Sequence, residues 1–217
     1  MYTPAAFSEQ KIEVLHALIA EHPLASIVTQ AEDGLTADHI PLIIAPPSAD
    51  APFGTLRGHV ARQNPLWQYP SEMLCIFQGP SAYITPSWYE EKKQNGAVVP
   101  TYNYAVVHTY GKLRVVEDQQ EFLALLDSLT THFEAQRTMP WHISDAPSDY
   151  IHHLMEAIVG IEIPITRITG KWKASQNKIT QSRINIAMGL REENNQDGIA
   201  MADLMEQALF APNENNT

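Results

Sequence analysis

Cysteine is almost absent from this sequence: Cys75 is the one among 217 residues, so no intrachain disulfide can form and no cysteine-built zinc framework exists. Long hydrophobic runs are missing as well, and nothing approaches the roughly 20 apolar residues of a helix that crosses a bilayer. The N-terminus "MYTPAAFSEQK" has neither the basic region nor the apolar core of a secretory signal, which points to a cytoplasmic protein. Basic residues are scarce, 14 Lys+Arg against 25 Asp+Glu, and the net charge of −11 argues against direct DNA binding, because phosphate contacts supply most non-specific affinity. No G-x-G-x-x-G, P-loop, G-x-S-x-G or H-E-x-x-H motif occurs, which removes the commonest nucleotide, hydrolase and metalloprotease signatures. His39, His59 and His108 are joined by no carboxylate or cysteine cluster, so no metal site is expected, and no residue is singled out as catalytic.

What is present reads as strands with helices at the periphery. Apolar spacing predicts a helix opened by Ser8 and ended at His22–Pro23, with Ile12, Leu15, Leu18 and Ile19 on one face. Strands are expected at 24–30, 35–44, 54–62, 72–79, 81–85 and 101–118, separated by Gly- and Pro-marked turns. Asp118 with Glu121 starts one amphipathic helix and Pro147 another. A strand at 160–173, in which Pro164 marks an edge or bulge, precedes a weak helix near 180–190. Mostly hairpin-spaced strands favour an antiparallel barrel or sandwich. Residues 191–217 hold one basic and six acidic residues and read as an acidic tail with a short helix near 199–209.

The stretch "GTLRGHVARQNP" stands out in so acidic a chain. With period two, Thr55, Arg57 and His59 share one face while Leu56 and Val60 share the other. Gly58 allows close approach of a ligand or a second backbone, and Asn64 before Pro65 reads as an N-cap with a first helical residue. Three further segments are polar and aromatic: "FQGPSAYITPSWY", "VVPTYNYAVVH" and "GKWKASQNK". Fixed cations, flat aromatic surface and Asn or Gln amides are what a flavin or a pyridoxal phosphate requires of its site.

Together with "MYTPAAF" and "HPLASIVTQ", these blocks resemble the PaiB-type FMN-binding negative transcriptional regulators from Met1 to about Leu190. The resemblance implies an α+β fold, an antiparallel split β-barrel like that of pyridoxamine-phosphate oxidases, as a single domain over 1–190. It also implies a homodimer with FMN at the subunit interface and a part in negative regulation. A flavin-dependent oxidoreductase or a haem-processing enzyme on the same fold is the alternative. Carried onto this chain, Arg57, His59 and Arg62 are expected at the phosphate, helped by the Asn64 helix start and by Lys171 and Lys173. Trp88 and Asn103 are assigned to the ring, and His39 to a neighbouring strand.

Overall fold

The computed structural model describes residues 1–210. In chain order the elements are β1 (Ser8–Glu9), α1 (Ile12–Glu21), β2 (Leu24–Ala31), β3 (Gly34–Pro41), β4 (Ile43–Ala45), β5 (Thr55–Ala61), β6 (Glu72–Ile84), α2 (Glu91–Gln94), β7 (Thr101–Lys112), β8 (Arg114–Val115), α3 (Gln119–Glu134), α4 (Ser148–Glu156), β9 (Ile158–Pro164), β10 (Arg167–Lys173), α5 (Thr180–Glu192) and α6 (Gln196–Phe210). Short 3-10 turns lie at Pro65–Gln68 and Pro86–Trp88, among others. The chain forms two compact units. The larger comprises Ile12–Phe77 and His108–Ile168, and the smaller comprises Met1–Lys11, Gln78–Val107 and the described residues from Thr169 onward.

In the larger unit, β2 pairs antiparallel with β3, Ser26 opposite His39, and with the first half of β6, Ile27 opposite Cys75. A second antiparallel sheet runs β4–β5–β9–β8. The alternation of β5 sends Leu56 and Val60 into the core and leaves Arg57 and His59 on the other face. Gly58 is explained by a neighbouring backbone: a Cβ there would lie 2.9 Å from the Pro41 carbonyl oxygen and 2.6 Å from Leu42 Cδ2. β9 is covered on both faces from Val159 to Ile163, which is why it reads as an almost unbroken apolar run. α3 starts where Asp118 accepts a hydrogen bond from the Glu121 amide at 2.8 Å, and buries Phe122, Leu125 and Leu129 against Val116 and Met155.

In the smaller unit, β1 pairs antiparallel with β10. The expected helix therefore begins at Ile12, because Ser8 and Glu9 are taken up by pairing and the Glu9 carboxylate accepts from the Gln10 and Lys11 amides at 2.8 Å each. The expected strand at 160–173 is two strands, β9 ending at Pro164, which has no N–H to continue a ladder. β6, by contrast, runs unbroken through Gly79. The helix expected at 199–209 is present as α6, and it is no loose tail: Met201, Ala202 and Met205 are buried with Ile186, Ala187 and Leu190 of α5. Arg191 ties the pair together, donating to Asp203 and Glu206 at 2.8 Å each. The remaining residues of that acidic segment, beyond 210, lie outside the described residues.

The two faces of β5 should separate in a urea titration. Leu56→Ala removes a fully buried side chain and is expected to cost about 2–5 kcal/mol. His59→Ala, at the exposed end of the other face, should stay within about 0.5 kcal/mol of wild type.

Candidate functional site

The cations of "GTLRGHVARQNP" are already engaged with the protein itself. Arg57 Nε donates to Glu162 Oε1 at 2.6 Å. That carboxylate's side chain is 5% exposed, and it also accepts from Arg114 Nε at 2.8 Å and Nη2 at 2.5 Å. Desolvating a carboxylate in the middle of a sheet is costly unless it is paired and fully hydrogen-bonded, and the two arginines meet that requirement. Arg62 turns back onto the sheet, donating to the carbonyls of Glu156 (2.6 Å) and Ile158 (2.9 Å). Asn64 caps the 3-10 turn by accepting from the Leu66 amide at 2.8 Å and donates to Asp38 at 2.7 Å. His39 lies on β3, where its Nδ1 meets Ser26 Oγ at 3.1 Å. His59 is exposed, although partial desolvation of its ring lowers its pKa.

The lysines are placed differently. In the smaller unit Thr101 and Asn103 of β7, Lys173 of β10, and Ser175, Asn177 and Lys178 of the following loop line a cavity of about 190 Å3 closed by Phe7, Tyr89 and Val99. No carboxylate is among its lining residues. Lys173 Nζ donates to Thr101 Oγ1 and to the Tyr102 carbonyl. Burial, with Lys171 nearby, lowers its pKa. Lys178 Nζ stands 4.8 Å from the centroid of the Tyr89 ring. Asn103, 1% exposed, exchanges hydrogen bonds with Ser175 Oγ at 2.9 and 3.2 Å. Ser175 is held with φ +56°, a left-handed conformation that the reciprocal pair helps to fix. Two lysines with hydroxyl and amide groups make a cationic cradle with no carboxylate in its lining, although Glu91, whose carboxyl is held below its usual pKa chiefly by the Ser182 hydroxyl, also feels the Lys178 charge.

Of the nine residues expected at the site, the structure brings Asn103 and Lys173 together in this cavity. Lys171 is bound elsewhere, donating to the Tyr2 carbonyl at 3.1 Å beneath the rings of Tyr2 and Tyr104. Trp88 packs edge to helix against α5, so closely that a Cβ on Gly189 would lie 2.2 Å from its ring. Thr101, Ser175, Asn177 and Lys178 carry no motif that marks them in the sequence, although "KASQNK" holds three of them in a run.

Residues 1–167 match the family model described as "Putative FMN-binding domain". The chain belongs to this FMN-binding family. Its cofactor is accordingly FMN. An uncharacterised protein of Emericella nidulans is 32% identical over 95% of this chain and 97% of its own length. The protease synthase and sporulation protein PAI 2 of Bacillus subtilis is 30% identical over 96% of this chain and 98% of its own. Among solved structures, the FAD and heme binding protein from Mycobacterium smegmatis aligns with a TM-score of 0.57 at 16% identity, covering 84% of this chain and 80% of that one. That likeness is one of fold, the antiparallel split β-barrel with peripheral helices. Among the described residues no helix is long and apolar enough to cross a membrane, and no cluster of three or more His, Cys, Asp or Glu could hold a metal ion.

Arg57→Ala tests the role of the arginine. Glu162 would keep Arg114 alone, and the expected loss is about 1–3 kcal/mol in chemical denaturation. Adding Glu162→Gln should recover part of it by removing the half-paired charge, whereas unchanged stability in the single variant would show that the ion pair is dispensable.

Proposed function

We propose that this protein binds FMN with the flavin phosphate in the Lys173–Lys178 cavity, works as a homodimer, and serves in negative regulation of gene expression. The observation that carries the reading is the contrast in charge pairing: Arg57 and Arg62 are spent on internal acceptors, while two lysines line a cavity without a carboxylate. A phosphate monoester carries about −1.5 to −2 charge at pH 7, which the two ammonium groups balance. Thr101, Ser175 and Asn177 supply neutral hydrogen-bonding groups, and Asn103 holds Ser175 in place. FMN brings a redox-active isoalloxazine ring, which lies outside the cavity.

Size supports the dimer. Sites that enclose a drug-sized ligand measure roughly 300–1,000 Å3, and about 190 Å3 accommodates the phosphate end of FMN. The ring then needs another surface, and a second copy of the chain supplies it. Exposed Val99, Tyr83 and Tyr102 in the smaller unit are apolar and aromatic groups available to such an interface. The regulatory role rests on the resemblance to the PaiB-type regulators, and a charge of −11 favours action through a protein partner over direct contact with DNA.

Two measurements check this reading. In light scattering of the purified protein, twice the 24.3 kDa chain mass is expected, and a monomer would contradict the dimer. In fluorescence titrations Lys173→Met should raise the FMN dissociation constant about 10- to 150-fold, the equivalent of about 1.5–3 kcal/mol for a charge-assisted hydrogen bond. An unchanged constant would remove the phosphate from this cavity. The pH dependence follows from the lowered pKa of Lys173. Its ammonium form is present below that pKa and lost above it, so affinity should hold through neutral pH and fall on the alkaline side before an ordinary lysine titrates. Lys173→Arg, charged throughout, should abolish that early fall.

A further inference from the structure

The helical part of the larger unit carries a second concave surface that the flavin reading does not use. α3, α4 and residues 142–148 between them enclose a groove of about 770 Å3. Its floor is apolar, with Leu123, Ala124, Ile143 and Ile151, and Asp127 and His152 stand at its rim. The same segment exposes further apolar groups: Met139 is 87% exposed, and Trp141, Tyr150 and Leu154 are exposed. Exposed apolar side chains on the segment that builds a groove are groups an interaction surface can use.

The segment is also where the chain's negative charge resides. Between 117 and 156 there are eight Asp and Glu residues and one basic residue, Arg137, a net of −7 out of −11. A largely apolar groove that holds Asp127 and is built from a segment of net charge −7 is complementary to a helix with one apolar and one basic face, and a groove between two helices accepts the ridges of a third. A small apolar ligand would fill the floor and leave Met139, Trp141 and the distributed acidic charge without a counterpart.

We infer that the α3–α4 groove docks a basic amphipathic helix of a partner protein. Leucine-like side chains of that helix occupy the floor over Ala124 and Ile151, and its lysines or arginines face Asp127 and the negative charge of the segment. The surface is independent of the lysine cavity, so loss of FMN binding in Lys173→Met leaves the inference intact.

The probe is a fluorescently labelled synthetic peptide of about 18 residues, five helical turns, with leucine at i, i+3, i+4 and i+7 spacing and lysine elsewhere. It is titrated against the full-length FMN-loaded protein. Binding in the micromolar range is expected, weakened by added salt. A scrambled peptide of the same composition, lacking an apolar face, should bind about tenfold more weakly or worse. Ala124→Lys, at an exposed position that leaves the core untouched, should weaken the amphipathic peptide about tenfold, and so should Asp127→Lys. Both variants should keep the wild-type melting temperature and FMN affinity. Equal binding of the scrambled peptide, indifference to Ala124→Lys, or a groove that takes up an anionic naphthalene dye which the peptide fails to displace would each overturn the inference.

Discussion

A carboxylate buried in the middle of a β-strand constrains the charge layout of the larger unit. Glu162 lies on β9 with both faces of the strand covered, and burial of its charge is tolerable because Arg57 from β5 and Arg114 from β8 meet it from the two flanking strands. The trio ties three strands of the four-stranded sheet across their hydrogen-bonding direction. It also removes Arg57 from the pool of cations that a ligand could recruit, and the turn of Arg62 onto two backbone carbonyls removes another. In a chain so short of basic residues, few cations remain for a phosphate.

Those that remain to greatest effect are the lysines at the end of β10 and in the loop beyond it. Lys173 is held by a hydroxyl and a carbonyl rather than by a carboxylate, and Lys178 lies against an aromatic ring within electrostatic reach of Glu91. The loop geometry is set by Asn103, whose amide is satisfied by Ser175 and which also lies 3.7 Å from Met205 Sδ of α6. Through that contact α6 touches a residue that lines the cavity. Residues past the end of the matched family model at 167 contribute Lys173, Ser175, Asn177 and Lys178 to the site.

Local chemistry was legible in the sequence, and distant partnership was not. The two-faced pattern of β5, the Asn64–Pro65 cap and the Asp118 start of α3 depend on neighbours a few residues away, and each is found where the spacing places it. The destination of Arg57 depends on a residue 105 positions later, and no period or motif reports that pairing. An aromatic side chain such as Trp88 suits a flavin ring by its chemistry, and the missing side chain of Gly189, which makes room for it against α5, is visible only once α5 is folded. Lys178 went unremarked because a lysine after a polar turn looks like solvated surface until the turn is seen to fold back over a cavity. The charge asymmetry of residues 117–156 was legible in principle, as a count, but acquires meaning beside an apolar groove.

The central claim is that the flavin phosphate belongs to the lysine cradle and not to the cationic face of β5. A crystal structure of the FMN-loaded protein tests it most directly. The account predicts phosphate oxygens within hydrogen-bonding distance of both Lys173 Nζ and Lys178 Nζ, with the Arg57–Glu162 pair intact. A phosphate seated on Arg57, His59 and Arg62, with Glu162 released from Arg57, would contradict it.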